Sequence, residues 1–386
     1  MKKTQNLFVL LVLLLICNAC KKDKRQDQNF EKTYGGAAFD SGASLLAHDN
    51  ALYILGTTHS FNDPLGDHYL LKVDLKGNVI WEKTYGGVAL EQGVDLIASC
   101  DGNILLVGTT ASIGAGSNDV QLMKIDKDGK LLWEKTFGGP DSDGPADIIE
   151  TKNGDICIVG TTYSFGAGNR DIYLIRLDAD GNTIYEKYFG AIEHDGASAI
   201  LELENQDLMI FAYTLNYGAV SRDVLLLKTN AQGDSIWSQR YGSEEYEESQ
   251  AFAKTTNHEF ILTGHSAATD PAHQMYGWKI DAAGQMLWSK EFGGIMHEGG
   301  EALLIDKVGN YVFVGVTMSF GAGNMDVYMV KTDNNGNILS EDYFGGPEDD
   351  KIEELIEYKG FYYMVGFTNS SGFGGADLYL VKKNVD

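Results

Sequence analysis

From Phe30 onward, apolar residues come in short runs broken by Gly, Asp and Asn, and no stretch repeats with a helical period. Between residues 94 and 137 the runs are "VDLIASC", "NILLVGTT", "DVQLMKID" and "LLWEKTF". Runs of this length, rich in β-branched and aromatic residues, predict strands. The intervening "CDGN" and "DKDGK" predict hairpin turns, with glycine supplying the positive φ.

The pattern recurs. "FEKTYGG" begins at Phe30, "WEKTYGG" at Trp81, "WEKTFGG" at Trp133, "YEKYFGA" at Tyr185, "WSQRYGS" at Trp237, "WSKEFGG" at Trp288 and "SEDYFGG" at Ser340, at intervals of 51 or 52 residues. Four antiparallel strands per period describe a propeller blade. The chain enters with a fourth strand alone and leaves with "EELIEY", "YYMVGFT" and "LYLVKKN", which lack a fourth. The two fragments complete one blade. The expected fold is therefore all-β: a seven-bladed β-propeller of four-stranded antiparallel blades over residues 30–386, closed by the N-terminal strand pairing into blade seven. An open solenoid would need polar caps instead.

Several positions repeat with the blades. Strand two carries a glycine at Gly56, Gly108, Gly160, Gly264, Gly315 and Gly366, with Ala212 in blade four. A strand glycine admits a close neighbour, here expected to be the aromatic heading strand four. A base recurs on strand three, at Lys72, Lys124, Arg176, Lys228, Lys279, Lys331 and Lys382, and is expected to form exposed ion pairs with strand-four acids such as Glu31, Glu82 and Glu134. The turns "DKDGK" and "DADGN" resemble calcium loops, but "DAAGQ" and "NAQGD" keep only the glycine, so turn geometry is the shared demand.

Strand direction puts the four-to-one and two-to-three connections on one face, the place for functional variation. There an acid stands in every blade: Asp40, Glu91, Asp143, Asp195, Glu247, Glu298 and Asp350. These seven should circle the mouth of the central channel. They would either fix the blade crossings by accepting hydrogen bonds from backbone N–H groups and the strand-two hydroxyls (Thr58, Thr110, Thr162, Thr214, Ser266, Thr317, Thr368) or bind cations. The residue before each acid is unconstrained: Phe39, Leu90, Ser142, His194, Tyr246, His297 and Asp349. The loop "HSAATDPAHQMYG" is also irregular; it opens at His265, is one residue short and replaces a recurrent Asp with Gln274. Phe39, His194, Tyr246, His265, Gln274 and His297 are the candidate binding residues, with aromatics and polar groups suited to sugar faces or peptide side chains.

Ahead of the repeats, "MKK" and the apolar "LFVLLVLLLI" form a leader too short to span a bilayer. "CNAC" follows, so residues 1–19 are expected to be a lipoprotein signal peptide, Cys20 the lipid-bearing N-terminus, and residues 20–29 a tether. The expected site is the outer membrane, lipid-anchored, at the cell surface or its periplasmic side. Removing Lys2 and Lys3 takes the formal charge from −25 to −27, which disfavours nucleic acid and anionic membrane as partners. Cys100 and Cys157 fall at different repeat phases and are expected to be buried free thiols rather than a disulfide.

The set W-x-K-x-[YF]-G-G, D-G-N, G-T-T-x-S-x-G-A-G-x-x-D-x-Y-L-x-K and D-x-x-G-x-x-x-W resembles tandem propeller repeats of secreted proteins and surface lipoproteins of Bacteroidota. The last element is also similar to the tryptophan-docking motif of quinoprotein dehydrogenases, although the spacing differs and no quinone-specific residues accompany it. The resemblance implies a fold and little about activity. The function expected is a non-catalytic, monomeric envelope lipoprotein that binds a glycan, peptide or outer-membrane protein through its loop face. The alternative is a polysaccharide hydrolase or lyase using carboxylates such as Glu247 and Glu298. No cofactor is implied, and calcium is the one ion the acidic loops leave open.

Overall fold

The structure, a computed structural model, describes residues 29–61, 65–267 and 273–385. The signal peptide, Cys20 and the tether through residue 28 lie outside the described residues. Among those described there is no helix: 28 strands form seven four-stranded antiparallel sheets arranged as a seven-bladed propeller. In six blades the strands run outward from the channel in chain order. The seventh has the order Phe30–Tyr34, Asp377–Asn384, Phe361–Thr368, Asp350–Tyr358, so the first strand of the chain is the outer strand of the last blade. Its register runs from Phe30 opposite Lys382 to Tyr34 opposite Leu378.

The core lies between blades. Leu105, Val107, Val120 and Leu122 of blade two pack on Ile148, Ile156, Ile158 and Tyr173 of blade three. The same kind of cluster joins blade one to blade seven through Leu45, Leu52, Ile54, Tyr363, Val365 and Leu378, so ring closure buries apolar area as well as pairing a strand. Strand two is therefore almost wholly buried, which is why its pattern reads as a continuous apolar run and not as an alternation.

Each inner strand contains a β-bulge, at Gly42/Ser44 in blade one and Pro145/Asp147 in blade three, for example. The bulge explains the strand-two glycine, and the expected aromatic neighbour is wrong. A Cβ on Gly160 would lie 2.0 Å from the Gly144 carbonyl, and one on Gly315 would lie 1.8 Å from that of Gly299. The glycine makes room for backbone pushed across by the bulge. The strand-four aromatic covers the next blade's turn glycine instead: a Cβ on Gly129 would meet Trp81, on Gly181 Trp133, and on Gly77 Phe30.

The strand-three bases also differ from expectation. They are partly or fully buried; five of them take acids from the hairpin between strands one and two, while Lys72 and Lys382 donate to the Lys127 and Leu75 carbonyls. Lys124 pairs with Asp101 at 2.7 Å, Arg176 with Asp155 at 2.8 Å, Lys228 with Asp207 at 2.9 Å and Lys279 with Glu259 at 2.7 Å. The strand-four acids accept from strand three: Glu82 from the Tyr69 hydroxyl at 2.9 Å and Glu186 from Tyr173 at 2.6 Å. In the turns, the first Asp caps its own loop. Asp126 accepts from the amides of Asp128 and Lys130, each at 2.9 Å, and Gly129 sits at φ 74°. Cys157 is buried, whereas Cys100 is exposed, with Sγ 3.0 Å from Glu150. An early hairpin position, outside the strand, places it there.

Candidate functional site

The recurrent acids form the frame of the loop face. Asp143 accepts from the Gly139 amide at 2.7 Å and the Ser164 hydroxyl at 2.7 Å; Asp350 accepts from Gly346 at 2.6 Å and Ser370 at 2.8 Å. Glu91 accepts from Gly87 at 3.0 Å and Thr110 at 2.9 Å, and Asp195 from Ala191 at 3.0 Å and Asn216 at 2.6 Å. The Thr58 hydroxyl donates to Asp40, Ser243 to Glu247 at 2.7 Å, and Thr317 to Glu298 at 3.1 Å. All seven are at most 1% exposed, so they sit inside the crossings rather than around the open mouth. A second acid column faces them. Asp119 accepts from the Ala115 and Gly116 amides, and a Cβ on Gly138 would fall 2.2 Å from Asp119 and 2.8 Å from Asp143. The paired glycines of the repeat thus leave space for two carboxylates. Burial, opposed by its hydrogen bonds and reinforced by the nearby Asp171, raises the Asp195 carboxyl above its ordinary range.

The variable residues stand on this frame, and the structure pairs them with a second variable column. The residue before each strand-two-to-three acid docks beside the residue before the next blade's ring acid. The Arg170 carbonyl accepts from the Asp195 amide at 2.8 Å, Arg222 likewise from Glu247 at 2.7 Å, and His273 from Glu298 at 2.9 Å. Arg170 is thereby set beside His194, Arg222 beside Tyr246, and His273 beside His297. The column reads Gly66, Asn118, Arg170, Arg222, His273, Met325 and Ala376, so large polar residues occupy it in three successive blades.

These three junctions join into one arc around the channel mouth. Arg170 lies 5.6 Å from the Tyr163 ring centre and 5.4 Å from that of Tyr213; Arg222 lies 4.3 Å from Tyr213 and 5.2 Å from Tyr246. Tyr246 continues to His273 at 5.4 Å and to His265 at 6.2 Å, and His273 to His297 at 4.9 Å. His194 meets Tyr163 edge-on at 6.4 Å. Of the sequence candidates, His194, Tyr246, His265 and His297 come together here. Gln274 lies alongside, its amide donating to the Met296 carbonyl at 3.1 Å. Phe39 stands apart, at the junction of blades seven and one, against His59 at 5.7 Å and Phe367 at 6.2 Å. Arg170, Tyr213, Arg222, Glu248 and His273 were missed. Their signal was in the repeats, because Tyr213 and His265 replace the small or apolar residues Thr57, Thr109, Thr161 and Val316 after the strand-two glycine.

Glu248 ties the arc together. Arg222 and Tyr246 donate to it, and His265 Nε2 lies 2.9 Å from it. Burial alone would raise this carboxyl, but His265, Tyr246 and the Arg222 charge hold it at about 2. Burial and the Glu248 charge push the Tyr246 phenol well above its ordinary value, so it stays a donor. Burial, His265 and His297 together lower His273, leaving it neutral at pH 7. Among the described residues, no group of three or more His, Cys, Asp or Glu is placed to hold a metal ion.

The bulge residues Ala43, Val94, Ala146, Ser198, Gln250, Glu301 and Glu353 line the channel just inside the mouth, around a cavity of about 430 Å³. A surface cavity of about 770 Å³ opens on the opposite face between blades five and six, where Lys279 and Glu259 pair with each other, as do Asp306 and Lys331. Its lysines are all engaged, Lys254 with Glu204 and Lys307 with Glu357, and none of the variable columns reaches it.

No family model matches the chain. It is 22% identical over 411 residues to the regulatory protein FlaEY of Caulobacter vibrioides; the match covers 92% of this chain and 40% of that relative. Among solved structures it is similar to the polysaccharide lyase Uly1, with a TM-score of 0.55 and 12% identity over 92% of both chains, and to the extracellular domains 1–2 of Drosophila semaphorin 1b, with a TM-score of 0.55 and 10% identity over 93% of this chain and 88% of that one. At these identities the structural likeness shows the fold alone.

Proposed function

We propose that the protein is a binding module whose loop face takes a glycan at the arc between blades three and six, and that it is held at the outer membrane by a lipid on Cys20. The observation that carries the reading is the run of Arg and Tyr side chains from Tyr163 to Tyr246 at the channel mouth. In the other blades these columns carry neither Arg nor Tyr, so the cluster is local to one sector. Flat aromatic faces with fixed donors between them suit sugar rings. The fold likeness to a polysaccharide lyase and to the extracellular domains of a semaphorin is compatible with a ligand-binding face. Glu247 and Glu298, the carboxylates considered for catalysis, are at most 1% exposed, which favours binding over hydrolysis.

The test is a panel of soluble neutral and acidic polysaccharides titrated calorimetrically against the intact protein. Saturable binding to at least one, weakened about tenfold or more by Tyr246→Ala with the melting temperature retained, supports the reading. Binding that ignores Tyr246, or no binding, removes it. Release of shorter or unsaturated products would replace it with the catalytic alternative.

A further inference from the structure

We infer that the sugar recognised by the arc carries a carboxylate, as a uronic-acid residue does, and that Arg170 and Arg222 grip it across Tyr213. This rests on the proposed glycan-binding role and specifies its ligand.

The first observation is charge. Of the four described arginines, Arg176, Arg222 and Arg240 each pair with a carboxylate. Arg222 has Glu248. Arg170 makes no ion pair among the described residues; its guanidinium rests between two tyrosine rings and reaches only the Thr161 hydroxyl, at 3.3 Å. A half-buried guanidinium without a carboxylate partner, on an acidic protein, is suited to an anion.

The second is unused hydrogen-bonding capacity. Arg170 Nε, Arg222 Nε and Tyr213 Oη are buried and have no partner. Tyr213 is 5% exposed, and burial raises its hydroxyl above the ordinary value despite both arginines, so it is protonated at neutral pH. Both guanidinium nitrogens are obligate donors and the phenol can donate, so a complementary group is an acceptor with several lone pairs. A carboxylate has two oxygens and about four lone-pair sites, and it also neutralises the spare charge. A sugar hydroxyl would fill one donor and leave the charge.

The third is shape. Tyr163 is 45% exposed beside Arg170 and offers a flat face next to the charge. A pyranose ring carries its carboxylate and a stackable face as one rigid unit. An aspartyl or glutamyl side chain supplies the carboxylate alone, and for that reason the sugar is preferred over an acidic peptide.

The probes are oligogalacturonate, the same oligosaccharide after reduction of its carboxyls to alcohols, and polyglutamate, each titrated into the intact protein and into Arg170→Gln. The expected result is at least tenfold tighter binding of oligogalacturonate than of its reduced form, a gap that narrows with added salt and closes in Arg170→Gln with an unchanged melting temperature. Equal binding of the two sugars, a gap that survives Arg170→Gln, or no binding of oligogalacturonate overturns the inference. Polyglutamate binding more tightly than the sugar, through the same arginine, overturns it in favour of a peptide. If reduced sugar binds with full Tyr246 dependence and no Arg170 dependence, the glycan reading stands and only the carboxylate is lost.

Discussion

Glu248 is fixed as an anion by three neighbours of different chemistry, an arginine, a phenol and an imidazole. Its folded value of about 2 lies below the roughly 4.3 of an unfolded glutamate. Its contribution to stability is therefore full above about pH 4.3 and disappears as pH falls through 2. Glu248→Gln should cost about 2 kcal/mol at pH 7 by urea denaturation, with wild type and variant converging towards pH 2. A constant difference across that range would mean the residue acts by packing. The strand-two glycine gives a second prediction at this scale. Gly160→Ala drives a methyl group into the Gly144 carbonyl and should cost about 1–3 kcal/mol. Blade four already tolerates Ala212 opposite Ala197, so Ala212→Gly should change the midpoint less. The sequence showed the glycine column but not its cause, because a bulge leaves no composition signal: its extra residue is Ala, Val, Ser, Gln or Glu according to blade.

The inner strands, as elements, solve a problem that sequence patterning does not expose. Their channel-side N–H groups have no further strand to pair with, so each needs another acceptor. In one part of the ring, side chains supply it. Glu354 accepts from the Leu45 amide, the Ser44 hydroxyl lies 3.3 Å from the Leu96 amide, Asp95 accepts from Ile148 at 3.2 Å and Asp147 from Ile200 at 2.7 Å. Each blade thus caps the next, from blade seven through blade four; Ala199, Ala251 and Ala302 end the series. Burial, with Asp95 nearby and opposed by Ser44 and the Leu45 amide, lifts Glu354 to about 8. Burial also raises Asp95 and Asp147, which face each other. A carboxyl raised in the folded state takes up a proton that the unfolded chain has already released, so stability is present at low pH and is lost as pH climbs from about 4.3 towards 8. The melting temperature should fall over that interval, and Glu354→Gln should flatten the fall; an identical slope in both proteins would refute the assignment. Strand boundaries, blade number and closure were legible in the sequence because hydrophobic burial and turn chemistry repeat every 52 residues. These side-chain caps were not, since they cross from one repeat to the next and change identity from blade to blade. The arc was half legible for the same reason: one variable column was found, and its partner, contributed by the preceding blade, was not.

For the whole molecule, the ring distributes its core over seven interfaces, and one of them depends on two ends of the chain. The Phe30–Tyr34 strand brings five paired residues, and its Tyr34 hydroxyl donates to the Gly77 carbonyl of blade one at 2.7 Å. Removing residues 1–34 should lower stability by about 3–5 kcal/mol, at roughly 1 kcal/mol per hydrogen bond, and leave the Asp377–Asn384 strand as an open edge. Thermal unfolding with light scattering reads both effects. An unchanged midpoint would show that the interblade core holds the ring without its clasp.

The clasp also determines how the molecule bears load. Any tension drawn through the N-terminal segment arrives first at Phe30, on an outermost strand hydrogen-bonded along one side only. The force meets five residue pairs before it reaches any complete blade. Blade seven would yield first, at a rate set by the barrier to unzipping that one strand and not by the stability of the ring. A protein pulled through its N-terminal segment would thus open at a defined seam, while the arc at blades three to six stayed folded.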